Sequence, residues 1–319
     1  MRVAAVHGDH DEAGFRHEAF LYGGRDQFLH GTAEFIRDGI GVGEPTLVVV
    51  NAEKIALLRS ELGAEADEVQ FADMAAVGSN PARIIQAWHE FVEDRSEPGR
   101  PVRGIGEPIG PDRSPAELAE CQRHESLLNL AFEGAAGFWL MCPYDTEALD
   151  PAVIEEALRS HPVTCHEGRS VDSLLYGGLD SAAAPFRAPL PEPAPRPKEF
   201  YFEAASLAAL RQYVSLRATT AGLEPRRTED FLLAVNEVAT NSLRHGCGSG
   251  FLRIWEEPQA LICEVSDDGI FDQPLAGRRR PAPDQIGGFG LWLAHQVCDL
   301  VQVRSLPPGC VVRLHMRRG

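Results

Sequence analysis

Apolar positions along the chain fall into two rhythms. Before residue 180, strand-sized apolar runs alternate with longer stretches of helical period. The runs are Thr46–Val50 ("TLVVV"), Val69–Ala72, Val102–Glu107 and Gly137–Cys142. Between and after them, Asp26–Ile40, Ala52–Leu62, Pro81–Asp94, Pro115–Ala131 and Pro151–Ser160 read as helices. Buried apolar strands alternating with helices predict a mainly parallel α/β sheet. "GVGEP" (Gly41–Pro45) sits where a helix must turn into a strand, and the chain has no GxxxxGK[ST] phosphate loop. After residue 200 the order changes. Helices at Ser206–Ala221 and Glu229–His245 precede strands at Phe251–Glu256 and Leu261–Asp267. A helix at Gly290–Cys298 and strands at Leu300–Ser305 and Val311–Met316 follow. That order predicts helices on one face of a mostly antiparallel sheet.

Ser181 to Glu199, "SAAAPFRAPLPEPAPRPKE", separates the two patterns with prolines at 185, 189, 191, 193, 195 and 197. Proline removes backbone donors and extends its predecessor, so the segment reads as a stiff spacer rather than an SH3-type ligand. The expected layout is therefore a domain at 1–180, a linker at 181–199 and a domain at 200–319.

Composition narrows the class. The 319 residues carry a net charge of −17, with 44% apolar and 24% charged residues. The charge is uneven: residues 1–199 hold 17 Lys+Arg against 34 Asp+Glu, and residues 200–319 hold 13 of each. Neither half has the basic excess of a nucleic-acid binder, and no apolar run approaches a membrane span. The N-terminus lacks a signal-peptide core. Seven cysteines without a CxxC pair argue against a disulfide framework. A cytoplasmic protein is expected.

Chemistry concentrates in the second half. At about 100° per residue, Phe231, Val235, Val238, Ala239 and Ser242 share the core arc of one helix. Glu237, Asn241 and His245 form a polar stripe along its edge. Alone, the stripe reads as a solvated edge. Downstream, "VSDDGIF" (Val265–Phe271) runs a strand into Asp-Asp-Gly. There Asp267 can accept from an exocyclic amine and Gly269 lets backbone approach a flat ring; alone, it reads equally as a hairpin turn. "GGFGLWLAHQVCD" (Gly287–Asp299) is a glycine-rich entry to a helix, whose free N–H groups suit phosphate.

In the order ExxxN, DxG, GGxGL, these segments resemble the N-box, adenine-binding Asp box and glycine box of the GHKL (HATPase) superfamily. The resemblance covers about residues 200–319 and is closest to the anti-sigma-factor serine kinases. It implies a Bergerat-type α/β sandwich that binds ATP with Mg²⁺. By it, Asn241 would ligate Mg²⁺ and Glu237 would be the base toward a Ser hydroxyl. Asp267 and Gly269 would read adenine, and Gly287, Gly288, Gly290 and Leu291 would form the phosphate end. His245 either lines the nucleotide or ends its helix, where an imidazolium suits the dipole. Phe271 stands where the family often has a second glycine, at the base pocket or lid hinge. Within the lid, Arg278–Arg280 either touch phosphate or a partner or, as is commoner for arginine runs in loops, are simply solvated. An alternative sigma factor and a STAS-type antagonist are the implied partners.

The first half resembles the MEDS sensory domain over roughly residues 15–170. The fragments that carry it are "HEAFLYGGRDQF", "RGIGEPIG", "RHESLLNLAF", "LMCPYDTEALDP" and "SHPVT". That family implies an α/β core often related to the RecA-like fold, taking a small-molecule signal. His17, Tyr22, Arg103, Glu107, Tyr144, Asp145 and His161 lie at or near expected strand ends. Ligands bind there in parallel sheets, so these residues line either a pocket or a satisfied polar framework. Cys142, ahead of Pro143, reads as packed core rather than a redox or ligand-binding thiol, and His124 as a helix-surface residue. "RHE" (Arg123–Glu125) lacks the companion proline and helix hairpin of a histidine-kinase phosphoacceptor. The expectation is a sensor-regulated anti-sigma factor, with a non-catalytic partner-binding module as the alternative and a homodimer allowed.

Overall fold

The computed structural model describes residues 14–97, 99–135, 137–166, 168–178, 188–282, 287–306 and 309–318. Pro185 of the spacer, the N-terminal residues 1–13 and residues 283–286 of the lid lie outside them. Two compact units form: residues 14–78 with 87–178, and residues 188–318 with 79–86.

The first unit is built on a mainly parallel seven-stranded sheet. Its strands are β1 (Phe15–Tyr22), β2 (Thr46–Val50), β3 (Val69–Asp73), β4 (Val102–Gly106), β5 (Phe138–Asp145), β6 (Val163–His166) and β7 (Arg169–Asp172). The order is β3-β2-β4-β5-β1-β6-β7, and only the β6–β7 hairpin is antiparallel among these pairs. The helices are α1 (Gly24–Val42), α2 (Ala52–Leu62), the short α3 (Met74–Val77), α4 (Ile84–Arg95), α5 (Pro115–Ala131) and α6 (Pro151–Ser160). Local chemistry sets their starts. Asn51 accepts from the Lys54 N–H, Asp150 from the Ala152 N–H, and Ser114 with Glu117 forms a capping box ahead of Pro115. Gly43 ends α1 in the left-handed region at φ 75°, as the turn reading of "GVGEP" requires.

Period-two alternation sorts the strand side chains onto two faces. Phe20, Tyr22, Val48, Ile105 and Met141 pack with Phe28, Ile36 and Leu58 of α1 and α2. Gly31 of α1 is obligatory there, since a Cβ would lie 2.3 Å from the Phe20 ring. On the opposite face, Gly104 and Leu140 meet Trp88 of α4, and His17 and Cys142 lie beneath α5 and α6.

The central strand β1 was absent from the sequence reading because "FRHEAFLY" interrupts its apolar run with His17 and Glu18. Both are buried nevertheless. His124 corrects another expectation: it is 1% exposed, not on the surface. Helix α5 buries polar side chains on several sides, with Arg123 paired to Glu120 at 3.1 Å. That pairing is what makes such burial tolerable.

The second unit is a five-stranded, wholly antiparallel sheet in the order β11-β12-β10-β9-β8. Its strands are β8 (Glu199–Glu203), β9 (Ser249–Glu257), β10 (Ala260–Asp267), β11 (Leu300–Leu306) and β12 (Gly309–Arg317). Helices α7 (Leu207–Thr220), α8 (Pro225–His245) and α9 (Phe289–Val297) share its apolar core. Phe231, Val235, Val238 and Ala239 of α8 bury against Leu252, Leu261, Cys263 and Leu314, as the apolar arc required. On the other side of β10, Glu264 is 2% exposed between Arg253 and Arg313. Arg253 also meets Glu192 at 2.8 Å. Helices on a wholly antiparallel sheet make this unit an α/β sandwich, as expected, whereas the first unit is a mainly parallel α/β fold. Among the described residues, no helix is long and apolar enough to cross a membrane.

Candidate functional site

Burying the α8 arc leaves the polar stripe at its edge. Glu237 and Asn241 are half-buried, and His245 is exposed in the last turn. Eight residues of helix separate Glu237 from His245, about 12 Å at 1.5 Å per residue. Each end of that span meets one of the glycine-rich segments.

At the inner end, Gly290 in the first turn of α9 faces α8. A Cβ there would lie 2.9 Å from Glu237 Oε2 and 3.2 Å from Asn241 Nδ2. Only glycine lets the start of α9 approach the two polar side chains this closely. Gly287 and Gly288 precede it with φ of 93° and 86°, a left-handed entry that side chains resist. The N–H groups of the first turn of α9 have no intrahelical partners and carry the positive end of the helix dipole. Leu291 points into the core and holds the helix start down.

At the outer end, β10 delivers Asp267 beside the C-terminus of α8. Asp267 Oδ1 accepts from the Gly269 N–H at 2.8 Å. A Cβ at Gly246 would lie 2.4 Å from Asp267 Cγ, and one at Gly269 would lie 2.7 Å from the His245 carbonyl oxygen. Two glycines thus let the Asp-Asp-Gly turn seat against the helix end. His245 contributes its backbone to that seat while its ring faces solvent. Phe271 packs against the core, and its N–H donates to Ser305 Oγ at 2.9 Å. Of the lid arginines, Arg278 is buried, correcting its reading as solvated, whereas Arg279 and Arg280 are exposed. The three segments of the sequence pattern therefore lie along one edge of α8.

Comparison with known proteins finds a family for each half of the chain. Residues 200–316 match the model of the histidine kinase-like ATPase domain, and residues 16–162 match that of the MEDS domain, the methanogen/methylotroph, DcmR sensory domain. The chain joins a MEDS domain to a histidine kinase-like ATPase domain. No curated protein matches it. The solved structure of the Acinetobacter baumannii histidine kinase AdeS aligns over 39% of this chain and 69% of its own, at 15% identity and a TM-score of 0.21, too slight a likeness to argue from. An ATPase domain of this family implies ATP, usually with Mg²⁺. Asn241 beside Gly290 and the unpartnered N–H groups of the first turn of α9 are donor and ligand types that suit a phosphate chain with its metal.

The seven polar residues singled out in the MEDS domain do not converge on one pocket. Tyr22 and Glu107 meet at the C-terminal edge of the sheet, where the Tyr22 hydroxyl donates to Glu107 at 2.8 Å. Lys54 Nζ joins them, 2.6 Å from Glu107 and 2.7 Å from the Tyr22 oxygen. Burial raises the Glu107 carboxyl above its ordinary range, with Lys54 and then Tyr22 pulling the other way. Burial, then the charge of Glu107, pushes the Tyr22 hydroxyl up. Asp145 ends β5 and accepts from the Glu147 N–H at 3.0 Å. Arg103 lies apart, near the start of β4. It is paired to Glu44, donates to the Phe35 carbonyl and stacks on Phe35 and Trp139.

His17, Tyr144 and His161 gather on the α5 face, all buried. They surround Glu125 and Cys142, which sequence reading had not placed in a site. Burial, then the charge of His161, lowers His17 to a pKa of about 4. Burial alone would raise the Glu125 carboxyl. A proton on the Nε2 of His161 or of His17 would be donated to it, and that pull outweighs burial and sets the group below the carboxylate range. Burial also pushes the Cys142 thiol and the Tyr144 hydroxyl up.

Proposed function

We propose that this chain is a sensor-regulated anti-sigma factor whose ATPase domain binds Mg-ATP. In this reading the MEDS domain takes a small-molecule signal and biases the ATPase domain. That domain sequesters an alternative sigma factor and phosphorylates a serine of a STAS-type antagonist. The observation that carries the nucleotide part is Gly290 pressed against Glu237 and Asn241.

The roles follow from the side chains. Asn241 offers an amide oxygen, a ligand type that suits Mg²⁺. Glu237, one turn earlier, accepts the proton of an incoming serine hydroxyl as general base. The N–H groups at the start of α9, aligned with their dipole, hold phosphate oxygens. Asp267, its Oδ1 turned to Gly269, presents a carboxylate to the adenine amine. Bound there, Mg-ATP supplies the transferable phosphoryl group, so the chain itself contributes mainly positioning and charge.

The test is incubation of the full chain with γ-labelled ATP and Mg²⁺, with and without a STAS-type antagonist, alongside pull-down of candidate sigma factors. Label on an antagonist serine supports the kinase reading. Nucleotide binding without transfer, together with sigma capture, leaves the binding module alone. Label on a histidine of this chain, or no nucleotide binding, rejects the proposal.

A further inference from the structure

Among the described residues, the one dense group of ligating side chains lies inside the MEDS domain. His17 of β1, Glu125 of α5, Cys142 of β5 and His161, just after α6, are each 1% exposed or less. Each offers one donor atom, and the four atoms lie within 4.8 Å of one another.

Their hydrogen bonds fix what faces inward. Asn129 Nδ2 donates to the Ser160 carbonyl at 2.7 Å, which turns the amide oxygen of Asn129 toward His17 Nδ1, 3.0 Å away. An amide oxygen only accepts, so His17 Nδ1 carries the proton. His161 Nδ1 stands 2.8 Å from the Ala157 carbonyl and carries its proton for the same reason. In the neutral rings both Nε2 atoms therefore bear lone pairs. Both point at the same atom, Glu125 Oε2, at 3.3 and 3.4 Å. Cys142 Sγ is 3.4 Å from His17 Nε2. Glu125 Oε1 is buried with no hydrogen-bond partner.

Acceptors converging in a dry interior repel unless something positive lies among them. One proton on Glu125 Oε2 or on either ring satisfies a single Nε2–Oε2 pair and leaves the other opposed. A divalent cation satisfies all of them. With bonds of about 2.0–2.3 Å, a tetrahedral zinc site spaces its donors by about 3.3–3.8 Å, the range of the three separations above. Charge also balances: Glu125 carboxylate and Cys142 thiolate together cancel two positive charges, leaving the buried site neutral.

We propose that His17 Nε2, Glu125, Cys142 Sγ and His161 Nε2 form a closed, four-coordinate site for a borderline divalent transition metal, Zn²⁺ foremost. Two nitrogens, one oxygen and one sulfur suit that class rather than Mg²⁺ or Ca²⁺. Binding releases the Cys142 thiol proton to solvent, and the thiolate donates its electron pair to the metal without redox change. Asn129 and Ala157 serve as the outer partners that orient metal-bound imidazoles elsewhere. The site ties β1, β5, α5 and the turn after α6 together, so metal occupancy sets the rigidity of the sensory fold.

The test uses the full chain, stripped with chelator and titrated with Co²⁺ and then Zn²⁺. One equivalent should bind, with a near-ultraviolet thiolate-to-cobalt band and intense visible bands of a tetrahedral ion, both displaced by Zn²⁺. Cys142→Ser should lose the thiolate band. Asn129→Ala, which removes no ligand, should weaken Zn²⁺ by about 10- to 100-fold. If a ligand variant does not fold, the stoichiometry and thiolate band of the unaltered chain still decide. Sub-stoichiometric binding, a spectrum without thiolate or tetrahedral signatures, or a thiolate band unchanged in a folded Cys142→Ser variant would overturn the site.

Discussion

Gly290→Ala separates folding from function more cleanly than any other change in the ATPase domain. The residue lies in the first turn of α9, where alanine keeps part of its helix-interior advantage over glycine of about 1 kcal/mol. Fold stability alone therefore argues for a small gain. The added Cβ, however, would stand 2.9 Å from Glu237 Oε2 and 3.2 Å from Asn241 Nδ2. Ordinary contact with a methyl needs about 3.5 Å, so the carboxylate must retreat by roughly half an ångström and the amide by less. Both atoms end rotatable side chains, so the retreat costs the fold little. It costs the site its alignment, and displacements of about 1 Å can lower a rate some 100-fold. We expect an unliganded melting temperature equal to or slightly above wild type. Mg-ATP affinity should fall by about tenfold or more, equivalent to about 1.4 kcal/mol. Calorimetry paired with thermal melts reads both. Wild-type affinity in a folded Gly290→Ala chain would refute this role of Gly290.

Other expectations follow from the same structure. Glu237→Ala should bind Mg-ATP as wild type does and lose phosphoryl transfer to a serine; retained transfer would remove it as the base. Glu264→Ala leaves the guanidiniums of Arg253 and Arg313 facing an empty, buried position. It should cost about 3 kcal/mol in denaturant unfolding, and a loss below about 1 kcal/mol would show the pairs to be solvated. Thiol labelling of the native chain, followed by mass spectrometry, should reach exposed Cys247 first. Cys121, buried and pushed up to about 12, should stay unmodified until the chain unfolds; early labelling there would contradict its burial.

The alternation of apolar strands and helices announced both sheets, because burial on two faces and burial on one leave different periods in a sequence. The expected starts of α2, α5 and α6 at Ala52, Pro115 and Pro151 hold, because the caps at Asn51, Ser114 and Asp150 depend only on neighbours in the chain. The central strand β1 was not legible, because its polar residues are satisfied by partners more than a hundred positions away. His17 meets Asn129 and Glu125, and Glu18 accepts from Trp139. The same distance in sequence hid the cluster under α5. Glu125 and Cys142 look ordinary beside their neighbours, and only the sheet brings them to His17 and His161. In the ATPase domain the meeting of three segments along α8 was legible, because each short segment keeps its own pattern. What they did not reveal was the role of Phe271, whose ring packs on the core beside the lid.

Mg-ATP titration of the full chain and of Asn241→Ala by calorimetry tests the central claim most directly. Saturable binding by the wild type, abolished in the folded variant, is the result expected. No binding by the wild type, or unchanged affinity in Asn241→Ala, would contradict it.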